Sequence, residues 1–397
     1  MSLHLPNEIW REIFRESTFV PFLLDTEWKY SPEDELWSGW GCLNPYQDLG
    51  FRTETLKSGM TKRSIVSVCR VWRGVGIEFL YESIQIPYEK RLVTRLLEIM
   101  KRSVSESYLG HGWWTKRIGW VDTRRSFKSM EAAISLMDFF HNLEIVTLLN
   151  QRIAYADQTR LADVCRSRFS HSLRRFEGSV YNPDPSNPAK CMDTLPNVPL
   201  TSLSISITTS IYNSPLHPVF DAITTLVIYL PVIVNYRPAE WHFPNLKSLS
   251  FWNFTEFDMQ VIMVPFVQRH SHTLTYLHLK PTYPEINSIP LLSHLKNIAR
   301  TLSLGYDHLQ HLWRLVQGNS GGFTVLHLPS ITHLGIVGSV SFAHIKGVID
   351  RLLEYGMFPN IVHLRLLQDS NGTEMTELRQ ELIQSVILRR RGIRLVT

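Results

Sequence analysis

The stretch Ser64–Tyr81, SIVSVCRVWRGVGIEFLY, determines how the N-terminal part of the chain folds. Its apolar residues recur every three or four positions, which is the spacing of one face of a helix. Ile65, Val68, Cys69 and Trp72 are therefore predicted to share one face. The stretch as a whole is predicted to form a helix followed by a second, short helix.

A second apolar stripe lies at the start of the chain. Leu5, Ile9 and Ile13 recur every four residues, and Phe14 lies beside them. Pro6 suits the first turn of a helix, where its missing N–H group has no partner to lose. By itself this pattern predicts an amphipathic helix that packs on its own domain.

Taken together, the two stretches resemble an F-box. That family has a first half of the form L-P-x-E-I-x-x-x-I-F, matched by Leu5–Phe14, and a second half of the form V-C-x-x-W, matched by Val68–Trp72. Thr18–Pro21 matches the T-x-x-P continuation of fungal-type F-box proteins. The resemblance assigns residues 1–82 to an F-box with an aromatic-rich insert at about 20–62, where a compact F-box has none.

After Tyr81 the pattern predicts strands alternating with helices. Ser83–Ile86 and Lys116–Asp122 are predicted strands, and Arg91–Arg102 and Ser129–His141 are predicted helices. Such alternation favours an α/β fold with parallel strands.

Residues 83–397 also contain a recurring phrase, an apolar residue and two variable residues followed by apolar–x–apolar. Successive copies lie about 23 to 32 residues apart, in the range of leucine-rich repeats. Each copy is predicted to form a short strand whose inward side chains are covered by neighbouring copies. The copies are Leu143–Leu148, Leu200–Ile205, Ile223–Ile228, Leu246–Phe251, Leu274–Leu279, Ile331–Ile336 and Ile361–Leu366, with weaker ones around Phe176 and Leu302.

Helices are predicted to fill most gaps between the copies, and two proline-rich loops interrupt them. The resemblance to leucine-rich repeats is loose, because the usual asparagine or cysteine after the last leucine is absent. Together with the resemblance to an F-box, it predicts an α/β fold in which a helical F-box is followed by an irregular leucine-rich-repeat solenoid of parallel strands and helices. The alternative is a non-repetitive α/β domain with leucine-rich strands. The predicted helices are Gln158–Phe169, Asp258–His270, His308–Gln317, Phe342–Tyr355 and Met375–Arg390, and the loops are Asn182–Pro188 and Pro281–Pro290.

Composition limits the class of protein. The 397 residues are 44% apolar, a fraction too high for a disordered chain. The net charge of +5 is too small to imply that the protein binds nucleic acid. Four widely spaced cysteines indicate a reducing compartment rather than a disulfide framework. The start of the chain lacks a secretory signal, and the longest apolar run, near Ala222–Val234, is too short to cross a membrane. We therefore expect a soluble cytoplasmic or nuclear protein with no membrane partner.

The sequence contains no convincing catalytic constellation. Gly318–Gly322 superficially resembles the nucleophile loop of chymotrypsin-type proteases, but the β-barrels that such chemistry requires are not predicted. The pairs His270/His272 and His308/His311 lack a further ligand at metal-binding spacing, so we interpret them as surface histidines of the repeats. We expect no catalytic residue, no metal and no cofactor.

The resemblance to F-box proteins with leucine-rich repeats implies a non-catalytic role as the substrate-recognition subunit of an SCF-type cullin–RING ubiquitin ligase. In that family the F-box binds a Skp-type adaptor, which bridges to a cullin, and the repeats hold a protein substrate. The alternative is an interaction scaffold outside any ligase. The adaptor-facing residues that the resemblance implies are Leu5, Pro6, Ile9, Ile13, Phe14, Val68, Cys69 and Trp72.

Overall fold

The structure is a computed structural model, and it describes most of the chain. The described residues are 5–20, 23–26, 49–87, 89–106, 109–120, 130–148, 160, 164–165, 167–180, 198–207, 219–230, 241–283, 285–294, 300–318, 326–337, 342–367 and 392–396. They divide into two compact units, one up to Leu203 and the other from Ser204 onward.

The first unit begins with three α-helices, α1 (Asn7–Thr18), α2 (Leu49–Val68) and α3 (Arg70–Glu82). Helices and parallel strands then alternate, and the strands pair in chain order. These elements are β1 (Ser83–Ile86), α4 (Lys90–Glu106), β2 (Arg117–Trp120), α5 (Met130–Leu136), β3 (Ile145–Leu148) and β4 (Arg175–Val180). The next strand, β5 (Ser202–Ile207), contains the point at which the chain passes into the second unit.

The second unit continues the same alternation, again with parallel strands paired in chain order. Its strands are β6 (Thr225–Tyr229), β7 (Ser248–Phe254), β8 (Tyr276–Pro281), β9 (Thr301–Gly305), β10 (His333–Val337), β11 (His363–Leu367) and β12 (Arg394–Val396). Its helices are α6 (Glu256–Asp258), α7 (Val264–His270), α8 (Ile289–Ser293), α9 (Tyr306–Gly318) and α10 (Phe342–Glu354). A π-helical turn, Met259–Met263, joins α6 to α7.

The recurring phrase explains this architecture. In the strong copies the first apolar residue lies in the turn before a strand, and the strand begins two residues later. Leu249, Leu277 and Leu302 then stand opposite one another in the parallel register and are 0% exposed. Each leucine covers the next, so the strand predictions and the α/β class are confirmed.

Helices α2 and α3 differ from the prediction at Cys69. Helix α2 ends at Val68, and Cys69 adopts an extended backbone as the N-cap of α3. The predicted common face of Ile65, Val68, Cys69 and Trp72 is therefore wrong, because a helix break lies between them. Periodicity cannot detect a cap that keeps the same apolar spacing on both sides.

Other differences concern element ends and buried histidines. Helix α2 begins at Leu49, so it takes in part of the predicted insert 20–62, whose aromatic stretch lies outside the described residues. Helix α8 begins inside the predicted loop Pro281–Pro290, and the three-residue strand β12 was not predicted. His270 and His308, interpreted as surface histidines, are buried.

Some predictions lie beyond the described residues. They are the helix Met375–Arg390, half of the helix Gln158–Phe169, and the loop Asn182–Pro188. The boundary at 82/83 stays a prediction, since α3 leads into β1 without an intervening residue and both belong to the first unit. None of the described helices combines the length and apolarity that a membrane span requires.

Candidate docking interface

Helix α1 buries one face against α3. Phe14 is 1% exposed, and its ring meets Trp72 edge-on at 5.1 Å and Phe79 at 6.5 Å between centroids. Trp10, one turn earlier, packs on Trp72 at 4.6 Å. With Ile65 and Val75 these rings form the core of the three helices. Trp72 is therefore first of all a packing residue, since its ring is enclosed by two aromatic neighbours from α1.

The junction of α2 and α3 is built around Cys69. Its Sγ accepts a weak hydrogen bond from the Trp72 N–H at 3.4 Å, which satisfies one of the free N–H groups at the start of α3. The Nε of Arg73 donates to the carbonyl oxygen of Val66 at 3.1 Å, across the same turn. Both contacts fix the angle between the two helices.

A glycine allows α2 and α3 to approach closely. A Cβ on Gly76 would lie 2.7 Å from a methyl carbon of Ile65, well inside van der Waals contact. Gly76 is therefore required by packing rather than by backbone conformation. A side chain at this position would push the two helices apart.

Polar contacts attach α1 to its two neighbours. Arg11 donates to the Glu78 carboxylate of α3 at 2.7 Å. At the end of α1 the Ser58 hydroxyl of α2 donates to the Thr18 carbonyl at 2.6 Å, and Thr18 in turn donates to the Phe14 carbonyl at 2.7 Å. The bonds of Ser58 and Thr18 are buried, whereas the Arg11–Glu78 pair is exposed, so the two buried bonds do most to hold α1 in one orientation.

Burial also shifts two ionisable groups in this region. Lys62 of α2 is buried, and this burial lowers the pKa of its ammonium, while the negative charge of Glu82 opposes the shift. Burial raises the pKa of the Tyr81 hydroxyl. Both shifts follow from desolvation of these groups among the packed side chains of the segment.

The other face of α1 is apolar and exposed. Leu5, Ile9 and Ile13 are 41%, 46% and 43% exposed, and successive residues of a helix are rotated by about 100°, which separates Ile13 from the buried Phe14. At the α2–α3 junction Val68 and Val71 are 60% and 57% exposed. We call Leu5, Ile9 and Ile13 the α1 stripe.

The sequence-predicted site residues therefore fall into two groups. Phe14 and Trp72 belong to the core of the three helices, with Phe14 buried and Trp72 half-buried. The others are exposed, and Pro6 serves as the N-cap of α1, where its carbonyl oxygen accepts from the Ile9 and Trp10 N–H groups. The exposed members are Leu5, Pro6, Ile9, Ile13, Val68 and Cys69.

Sequence reasoning missed several exposed apolar residues of this segment. Leu56 and Met60 lie one turn apart on α2, and both are exposed, as are Val71 and Phe19. The spacing of Leu56 and Met60 is helical, so it would have indicated a surface stripe had α2 been predicted to begin at Leu49. Eight of the nineteen large apolar side chains exposed among the described residues belong to α1–α3 or to Leu5 and Phe19, which flank α1.

The buried histidines have structural partners. The Nε2 of His270 accepts from the Phe243 N–H at 3.0 Å, so its Nδ1 donates to the Phe266 carbonyl at 2.8 Å. The pKa of His270 is lowered to about 4, mainly because the imidazole is buried. His308 bonds the Ser288 hydroxyl at 2.7 Å, and both are buried from solvent. Among the described residues no cluster of three metal-ligating side chains is present.

The chain matches no model of a known protein family, and no curated protein matches it.

Proposed function

We propose that the chain is the substrate-recognition subunit of an SCF-type cullin–RING ubiquitin ligase. In this proposal α1–α3 bind a Skp-type adaptor, through it a cullin, and the strand–helix repeats bind a protein substrate. The chain forms no bond itself. Its contribution is proximity, since it raises the concentration of substrate lysines near the ubiquitin-loaded enzyme.

The exposed α1 stripe carries this proposal. Burying a large aliphatic side chain completely is worth about 1.5–3 kcal/mol, so roughly half of that remains available at each residue of the stripe. Because Trp10 and Phe14 hold the opposite face of α1, the stripe is presented on a fixed helix. A preorganised apolar surface binds a partner without first being ordered.

Contacts within the first unit support the proximity role. Helix α3 leads directly into β1, and the Thr115 hydroxyl donates to the Tyr81 carbonyl at 3.0 Å. The Lys116 N–H donates to the Glu82 carbonyl at 2.9 Å, and its ammonium pairs with the Glu82 carboxylate at 3.2 Å. The helices that would bind the adaptor are therefore fastened to the first strands, which limits the positions that a bound substrate could take.

Affinity purification from cells tests the proposal. The tagged chain is expected to bring down a Skp-type adaptor and a cullin, and the Ile9→Glu/Ile13→Glu variant is expected to bring down neither. Leu92→Glu/Ile99→Glu is the matched control, because both residues lie on α4 and are 43% and 39% exposed. Recovery of neither adaptor nor cullin with the unaltered chain would contradict the ligase role.

The alternative function is an interaction scaffold that uses the repeats alone. It shares the strand–helix array but needs no adaptor at the α1 stripe. Under that alternative the tagged chain would recover other partners, and the substitutions at Ile9 and Ile13 would leave the recovered set unchanged.

A further inference from the structure

Helix α4 has one face buried in the first unit. Val93 and Met100 are 0% exposed on that face. Near the end of the helix the Ser103 hydroxyl donates to the Met100 carbonyl at 2.7 Å and accepts from the His111 N–H at 2.9 Å. These contacts fix the orientation of α4, and they therefore determine which of its side chains lie in water.

The exposed side of α4 carries a row in which aliphatic and basic side chains alternate. Members of the row are three or four positions apart, a spacing that brings side chains together on one face of a helix. Leu92 and Ile99 are 43% and 39% exposed, and Arg95 and Arg102 are also exposed. With a rise of 1.5 Å per residue the row is about 15 Å long. We call these four residues the α4 strip.

The arginines of the α4 strip are not neutralised by the protein. Among the described residues neither Arg95 nor Arg102 forms an ion pair. Glu98 lies within one turn of both, but helical rotation places it on the side away from Leu92 and Ile99. Helix α4 has five basic and two acidic residues, whereas the whole chain has 41 and 36. The small net charge of the chain therefore conceals a local surplus of cations on this helix.

The alternation of cation and aliphatic side chain indicates the kind of partner. The centre of a stable protein interface is largely apolar and depleted of charge, whereas in the α4 strip an arginine separates the two aliphatic residues. The boundary layer of a membrane places phosphate groups next to acyl chains, so it accommodates both kinds of side chain along one line. A guanidinium group matches the geometry of a phosphate, and the arginine stem can lie along apolar surface while its head reaches the charge.

We propose that the α4 strip binds the surface of a membrane that contains anionic phospholipids. Arg95 and Arg102 pair with the headgroups, and Leu92 and Ile99 enter the boundary between headgroups and acyl chains. The proposal is independent of the ligase role, because the α1 stripe takes no part in it. The expectation of no membrane partner rested on a small net charge and on apolar runs too short to span a bilayer, and a surface contact requires neither a large net charge nor a span.

Co-sedimentation of the full chain with lipid vesicles tests the proposal. The probe is a vesicle of phosphatidylcholine and phosphatidylserine in equal parts, and the matched vesicle is phosphatidylcholine alone. Each basic side chain near an anionic membrane surface raises the affinity about fivefold, so the mixed vesicles should bind at least about twentyfold more tightly than the matched ones. Added salt should weaken this binding, because the arginines are exposed to solvent.

Substitutions of the charged residues give effects of opposite sign. Arg95→Gln/Arg102→Gln should lose about twentyfold in affinity for the mixed vesicles, whereas Glu98→Gln should gain about fivefold. Arg95→Lys/Arg102→Lys keeps the charge and should retain most of the binding. Arg269→Gln/Arg314→Gln is the matched control, because it removes two exposed arginines from α7 and α9, and it should bind as the unaltered chain does.

The aliphatic half of the strip is tested by Leu92→Glu/Ile99→Glu. This variant should lose vesicle binding and keep adaptor binding, and Ile9→Glu/Ile13→Glu should do the reverse. Adaptor and vesicle binding measured on the same samples therefore separate failure of this proposal from failure of the ligase role.

Four results would overturn the proposal. They are equal binding to the two kinds of vesicle, full binding by Arg95→Gln/Arg102→Gln, an equally large loss in the Arg269→Gln/Arg314→Gln control, and unchanged affinity of Glu98→Gln. Binding of a labelled oligo-glutamate peptide without binding of the mixed vesicles would also contradict it, since the strip would then recognise an acidic protein segment. Melting temperatures within about 2 °C of the unaltered chain show that the variants are folded.

Discussion

The helices α1–α3 and the strand–helix repeats differ in how completely their large apolar side chains are buried. In the repeats the leucines of the phrase are buried in rows, as Leu249, Leu277 and Leu302 show. In the helices one face of α1 is packed and the other, with Ile9 and Ile13, is exposed. Both regions are rich in apolar residues, so composition does not explain the difference.

Architecture explains it instead. Each strand of a parallel array has neighbouring strands, and the apolar side chains of those neighbours bury its own. Three helices have too few neighbours to cover every apolar stripe they carry, and a stripe that lies about 100° or more from the core face stays in contact with water. The exposed apolar surface on α1 is what the proposed function assigns to a partner.

The largest effect on stability is expected from a leucine of the repeats. Leu277→Ala leaves a cavity between Leu249 and Leu302, its neighbours in the buried row, and should lower the free energy of unfolding by about 2–5 kcal/mol. Urea titration followed by circular dichroism measures this loss. A loss below about 1 kcal/mol would show that the rows are loosely packed, which would remove one side of the comparison.

A smaller loss is expected at Trp72, where the packed side of the helices can be tested. Trp72→Ala should lower the free energy of unfolding by about 2–3 kcal/mol, because Trp10 and Phe14 lose their common neighbour. It should also abolish adaptor binding by releasing α1. Trp72→Phe is the matched variant and should retain most of both. Full adaptor binding by a folded Trp72→Ala protein would argue against this role.

The repeats should also lose stability in acid. The pKa of His270 is lowered from its ordinary value of 6.5 to about 4 in the folded chain. Between pH 4 and pH 6.5 the unfolded chain therefore binds more protons than the folded chain. Stability is therefore complete above about pH 6.5 and declines as the pH falls toward 4. Unfolding at pH 7 and pH 5 measures the decline, and nuclear magnetic resonance of the imidazoles assigns it. A titration midpoint of His270 near its ordinary value would contradict the buried hydrogen-bonded geometry.

The helix cap at Cys69 should have a small effect. Cys69→Ala removes the acceptor for the Trp72 N–H and should cost about 0.5–1 kcal/mol, whereas Cys69→Ser should keep or strengthen the cap. Cys69 is exposed, so neither change leaves a cavity. Thermal unfolding of the pair measures the difference. Equal melting temperatures for the Ala and Ser variants would show that the sulfur does not cap the helix.

Much of the fold could be predicted because the phrase has a period of two within each strand and recurs along the chain. Leu277 and its neighbours needed no further information, since period and spacing define both strand and core. The break at Cys69 was missed because a cap depends on one weak hydrogen bond that leaves the apolar spacing unchanged. Strand β12 was missed because three residues carry too little pattern.

The site was predictable only in part. The apolar residues of α1 were found from the sequence, but Ile13 and Phe14 are equally apolar, and only the packing of Trp72 shows which of them is covered. The sequence also did not show which residues stand opposite one another across β8–β12, such as His363 and Arg394. Register of this kind brings together residues about 30 positions apart in the chain, which local patterns do not reveal.

The most direct test of the account is calorimetric titration of the purified chain with a purified Skp-type adaptor. Ile9→Glu/Ile13→Glu should weaken binding by about a hundredfold or more, while the melting temperature stays within about 2 °C of the unaltered chain. The α4 control, Leu92→Glu/Ile99→Glu, should bind as the unaltered chain does. Binding by Ile9→Glu/Ile13→Glu with unchanged affinity would contradict the claim that the α1 stripe is the adaptor surface.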